Sequence, residues 1–145
     1  MLTALKARLE AKKAKNRAIA ASQYWKTHTL LQECLQLLRG SCTVVPMELH
    51  EAVVAAANIA LREDTWTPAE KIPADFLPQT VYILWDDAQL PVFQARRDTV
   101  LQYLDDVTAV TPETYLISET LDRIVRCDHW GKCLLYSVAP EDPAP

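Results

Sequence analysis

"YILWDDAQLPVF", Tyr82 to Phe93, reads as an apolar strand, two adjacent aspartates, a turn and a second apolar strand. The run 80–86 is rich in β-branched and aromatic residues, as a strand requires. The second strand, 90–95, carries Pro91 near its start, where a missing N–H is tolerated. The pair sets the character of everything downstream. "RRDTVLQYLDDV" (96–107) has helical spacing, with Asp98 placed to cap it and Val100, Leu101, Leu104 and Val107 on one side. Three further alternating runs follow, at 114–118, 122–128 and 132–138. The last two are joined by a "DHWG" turn in which Gly131 supplies a permissive backbone.

Upstream of the quoted stretch the periodicity is helical. In 27–39, Leu30, Leu31, Cys34, Leu35 and Leu38 share one face, and Gly40 suits the stop. Segment 41–64 opens with a short β-branched run. Pro46 then fits a first helical turn, and Met47, Val53, Val54, Ala57, Ala60 and Leu61 are expected to form the apolar side. Residues 2–20 look like a solvated basic helix, continuous with the next or bent near Tyr24. The expected fold class is α+β: a helical N-terminal half packed on a mostly antiparallel sheet of about five strands with one inserted helix. We read one domain over 1–145, divided into a helical half (1–64), a Pro-rich connector (65–79), a sheet half (80–138) and a tail (139–145).

Composition excludes several functions. The chain's two glycines, Gly40 and Gly131, are isolated, so neither a phosphate-binding loop nor a dinucleotide fingerprint can form. The longest apolar runs are too short to span a membrane. The positively charged start has no continuous apolar core behind it, which argues against a secretory signal. Four cysteines do not make a disulfide scaffold here. The expected setting is the cytoplasm, with reduced thiols and no cofactor. Charge is unevenly spread. Lys6, Arg8, Lys12, Lys13, Lys15 and Arg17 stand against Glu10 alone in the first seventeen residues; with the whole chain at −4, the remainder carries −9. An acidic body favours basic partners over nucleic acid.

The carboxylate dipeptides Asp86–Asp87 and Asp105–Asp106 are the first candidates for chemistry. Neighbours on a strand point to opposite faces, so adjacent aspartates rarely act as one acid–base pair. The alternative is a solvent-facing acidic rim, with Asp86 ending a core strand and Asp87 the more exposed charge. Cys127, His129 and Cys133 could be read as metal ligands, but the spacing matches no standard zinc knuckle and a fourth ligand is missing unless Asp128 or a distant cysteine serves. Both cysteines also sit in apolar strands, where they act as small hydrophobes. Nucleophilic cysteine chemistry would need an orienting group that is not visible locally. Trp66, Trp130 and Tyr115 are interface candidates, aromatic and close to acidic residues; Trp85, inside its strand, reads as core.

Taken in order, these segments resemble small bacterial immunity proteins of contact-dependent growth inhibition and similar toxin systems. The resemblance rests on Trp85, Asp86, Pro91, Val92 and Phe93; on Leu104, Asp106, Val107, Ala109 and Val110; on Thr114, Tyr115 and Leu116; and on His129 and Gly131. It covers residues 80–138, and the helical half has no counterpart in it. The family's hairpin tip is acidic, whereas here it reads His129-Trp130-Gly131-Lys132. The resemblance implies a non-enzymatic inhibitor that binds a cognate, basic, nuclease-like toxin domain. The surface expected to do so is an acidic edge of Asp86, Asp87, Asp105, Asp106 and Glu113, with Tyr115 and Trp130. Three other readings stay open. One is a different acidic inhibitor or adaptor, such as a phage-encoded antagonist of a nucleic-acid-binding defence enzyme. Another is an enzyme built on the aspartates. The last is an oligomeriser or nucleic-acid binder acting through residues 1–20.

Overall fold

The computed structural model describes residues 28–38 and 40–138. Helix α1 covers 28–37. It is followed by β1 (Thr43–Val44), α2 (Met47–Leu61), β2 (Thr67–Ala69), β3 (Thr80–Trp85) and β4 (Phe93–Arg96). Then come α3 (Arg97–Gln102), α4 (Leu104–Thr108), β5 (Glu113–Ser118), β6 (Arg123–Asp128) and β7 (Cys133–Ser137). The basic segment 2–20 and the tail lie outside the described residues.

The strands form one sheet of order β1-β4-β3-β5-β6-β7-β2. Every pairing in it is antiparallel. The fold is α+β as expected, but among the described residues the sheet has seven strands rather than about five. Both additions are edge strands too short to show a period. β1 is the two-residue β-branched run before Pro46, paired with β4. β2 lies within the Pro-rich connector and pairs with β7, with Pro68 at its centre. Proline is tolerated there because an edge strand needs only part of its N–H row.

Helices cover both faces. Alternation along β3 sends Val81, Ile83 and Trp85 into one core with Leu31, Cys34 and Leu38 from the α1 segment, Val100 of α3 and Val107 of α4. Tyr82, with Tyr115, Ile117, Ile124 and Tyr136, faces the second core, closed by Val53, Ala57 and Ala60 of α2. The small alanines let α2 lie close on the sheet. Met47 and Leu61, expected on the helix's apolar side, are exposed instead, because the buried stripe at 53, 57 and 60 is narrower than the sequence's apolar arc. The expected helix 96–107 is two short helices broken at Tyr103, whose backbone leaves helical geometry (φ −111°, ψ 31°). Asp98 does not cap it; its carboxylate pairs with Arg97 Nε at 3.0 Å. Trp85 bridges the break's far side, its indole N–H donating to the Val107 carbonyl at 2.9 Å.

Candidate functional site

Strand register gathers charge at one end of the sheet. Trp85 pairs with Thr114, and the Asp86 N–H continues the ladder to the Glu113 carbonyl at 3.2 Å. Glu113 in turn pairs with Asp128 on β6. Cross-strand partners share a face, so Asp86, Glu113 and Asp128 form a transverse row on the α2 side. One step inward stand Tyr115 and its register partner Arg126.

The row is braced at its centre. Arg126 Nη2 donates to Glu113 Oε1, and the Tyr115 hydroxyl donates to Glu113 Oε2 at 2.9 Å. The guanidinium also lies 6.0 Å from the Tyr115 ring centre. Burial alone would raise the Glu113 carboxyl; the bonds from Arg126 and Tyr115 outweigh it and hold that carboxyl below the ordinary glutamate range. The hydrogen bond to Glu113 raises Arg126. Burial, then the bond to Glu113, pushes the Tyr115 phenol up to about 12. At neutral pH this is a fixed anion–cation–phenol unit with no group poised to shuttle protons.

Asp128 is also engaged, its Oδ1 accepting from the Trp130 and Lys132 N–H groups, each at 2.9 Å. Asp87 accepts from the Gln89 N–H at 2.9 Å and is half-buried. Asp86 is exposed, so the expected order within the pair is reversed: the turn folds Asp87 back onto the chain. Among the described residues the Asp86 carboxylate has no hydrogen bond or ion pair. Beside it a cavity of about 270 Å³ opens between α2 and the end of β3, with His50, Asn58 and Leu61 on the helix side and Leu84, Asp87 and Tyr115 on the sheet side.

The expected acidic edge is therefore divided. Asp86 and Glu113 come together on the α2 face, with Asp87 at the turn, bordering both the α2 cavity and a second cavity beside α1. Asp105 and Asp106 occupy the first turn of α4 on the opposite face, both exposed. Tyr115 is buried and serves as a support, leaving it little surface to offer a partner. Trp130 is 79% exposed at the β6–β7 tip, with its ring 4.5 Å from that of His129. It borders an apolar groove of about 600 Å³ that includes Pro68, Ala69 and Leu134. Trp66 is half-buried, donating its indole N–H to the Ala60 carbonyl at 2.9 Å.

Cys127 and Cys133 face each other across the hairpin with sulfurs 3.2 Å apart. His129 does not join them, being exposed at the turn. No group of three or more His, Cys, Asp or Glu side chains is disposed to hold a metal among the described residues. Nor is any described helix long and apolar enough to cross a membrane.

A family model described as CdiI immunity protein EcoliA0-like matches residues 28–135. The chain belongs to the CdiI immunity protein family. No curated protein matches it. The match takes in more of this immunity protein than the resemblance over 80–138 did. It includes α1 and α2, so residues 28–64 of the helical half have their counterpart in the family. Membership implies binding to a cognate toxin. Sequence reasoning passed over Arg126, weighed Asp128 only as a metal ligand and read His50 as a surface or half-buried histidine. A signal existed for the first two: once the "DHWG" turn fixes the hairpin, alternation puts Arg126 and Asp128 on one face, and an arginine in the middle of an apolar strand asks for a carboxylate.

Proposed function

We propose that this protein neutralises a basic, nuclease-like toxin domain by binding alone, without catalysis or cofactor, in the cytoplasm. The docking surface is the acidic end of the sheet, led by the exposed Asp86 carboxylate beside the α2 cavity. Asp87 and Trp130 flank it, and the Asp105–Asp106 turn extends it round the end of the sheet onto the opposite face. The observation that carries this reading is the family match over residues 28–135, joined to an exposed Asp86 at the edge of a cavity. A body of net charge −9 supports it, because complementary charge accelerates encounter and selects against wrong partners. The Glu113–Arg126–Tyr115 unit holds the row rigid, which lowers the ordering cost of binding. Trp130 supplies an aromatic anchor of the kind that dominates binding energy. A stable complex needs about 800 Å² from each partner, well within reach of a domain this size.

The test is co-expression with the toxin domain encoded immediately upstream. Growth should be rescued and a stable complex should purify. Asp86→Lys combined with Asp106→Lys should slow association at least tenfold at low salt and flatten its salt dependence. Absence of both rescue and complex would defeat the reading. An intact complex with unchanged association rate would move the surface elsewhere.

A further inference from the structure

We propose that Cys127 and Cys133 form a redox-active dithiol that closes into a disulfide when the protein meets a small peroxide. The two residues are register partners on β6 and β7. The Asp128 N–H to Lys132 carbonyl bond, 3.0 Å, belongs to the next pair along, which makes 127/133 a non-hydrogen-bonded site. Side chains are closest at such sites, with Cα atoms about 4.5 Å apart. That separation lies within the range a disulfide bridges. The sulfurs already sit 3.2 Å from each other, so closure needs little more than side-chain rotation.

Both thiols are buried, yet reachable. A cavity of about 300 Å³ on the α1 face is lined by both sulfur-bearing residues, with Lys71, Asp105 and Thr108 on its walls. Cys133 also borders the groove beside Trp130. The same row holds Thr114, register partner of Cys127. Its hydroxyl is the one buried side-chain oxygen or nitrogen without a hydrogen-bond partner among the described residues. A buried unpaired hydroxyl is costly, and this one stands next to the sulfur that would change state.

The reaction balances with hydrogen peroxide as oxidant. The Cys133 thiolate attacks one peroxide oxygen; the S–O bond forms, the O–O bond breaks, and the departing oxygen leaves as water with the thiol's proton. The Cys127 sulfur then attacks the Cys133 sulfur. The S–S bond forms, the S–O bond breaks, and the hydroxyl leaves as water with the Cys127 proton. Two thiols are oxidised and one peroxide is reduced to two waters. The hydrogen bond from Cys127 holds the Cys133 thiol below its ordinary value, suiting it to attack first. That bond and burial push Cys127 up. The other two cysteines make a contrast: burial pushes Cys34 up to about 12 and Cys42 up to about 11, so both stay protonated. The new bond would staple the hairpin that carries Trp130.

The test uses the reduced full chain and one to ten equivalents of hydrogen peroxide. Intact mass should fall by two hydrogens per chain. Non-reducing digestion should yield one peptide linking Cys127 to Cys133, with Cys34 and Cys42 still alkylatable. Cys127→Ser should stop at a sulfenic acid on Cys133, captured by a dimedone reagent. Should that variant not fold, Cys127→Ala serves, and the wild-type peptide map decides in either case. Cys127 and Cys133 both remaining alkylatable after treatment, or a link between Cys34 and Cys42 instead, would overturn the proposal. None of these readouts involves the toxin, so their failure is separate from that of the docking reading.

Discussion

Glu113→Gln isolates the unit that braces the acidic row. Glutamine keeps an acceptor for the Tyr115 hydroxyl but removes the charge opposite Arg126. Hydrogen bonds to charged groups contribute about 1.5–3 kcal/mol when buried, and exposed ion pairs contribute at most about 1 kcal/mol. Here each side chain is 32% exposed, between those limits. The expected loss is about 1–2 kcal/mol at neutral pH, read as a lower midpoint in urea with an unchanged slope. The pH dependence follows from the sign of the shift. The folded-state carboxyl lies below its unfolded value, so the pair's contribution is complete above the unfolded value of about 4.3. It is lost as pH falls through the lower, folded value. The gap between wild type and variant should therefore close on acidification. A cycle with Arg126→Met should return a coupling of about 1 kcal/mol. Equal stability at neutral pH, or a gap that persists in acid, would refute the role assigned to Glu113.

Trp85→Phe should cost about 2–3 kcal/mol in the same urea assay, because it leaves the Val107 carbonyl unsatisfied and a void at a 1% exposed site. Trp130→Ala should leave stability within about 0.5 kcal/mol while weakening the toxin complex by tenfold or more in a titration; the ring is 79% exposed and supports little of the fold. Gly131→Ala should destabilise by about 1 kcal/mol in thermal unfolding. Its φ of +85° is the sole obstacle, since nothing lies within 4 Å of an added Cβ.

Much of the sheet half was legible because period-two alternation is a local signal. β3, β5, β6 and β7 fall within a residue or two of the runs that announced them. β4 starts at Phe93 rather than residue 90, because the turn after Asp87 takes up Leu90 through its N–H to the Asp87 carbonyl. β1 and β2 were not legible, since strands of two and three residues have no period. The left-handed backbone at Leu121 (φ 64°) was equally hidden. It is imposed by a turn in which Ser118 Oγ accepts from the N–H groups of Asp122 and Arg123.

The sequence alone determined the α+β class, the acid–base division of the chain, the hairpin at Gly131 and Trp85 as core. These depend on composition, periodicity and residues with narrow backbone preferences. Tertiary structure decided which charges meet. Asp86, Glu113 and Asp128 are far apart in the chain and become neighbours only through the register of three strands. Asp105 and Asp106 lie nearer Glu113 in sequence than Asp86 does, yet α4 carries them to the opposite face. Adjacency across a sheet depends on which strands pair and in what register, and both are fixed by burial of the two cores rather than by the aspartates themselves.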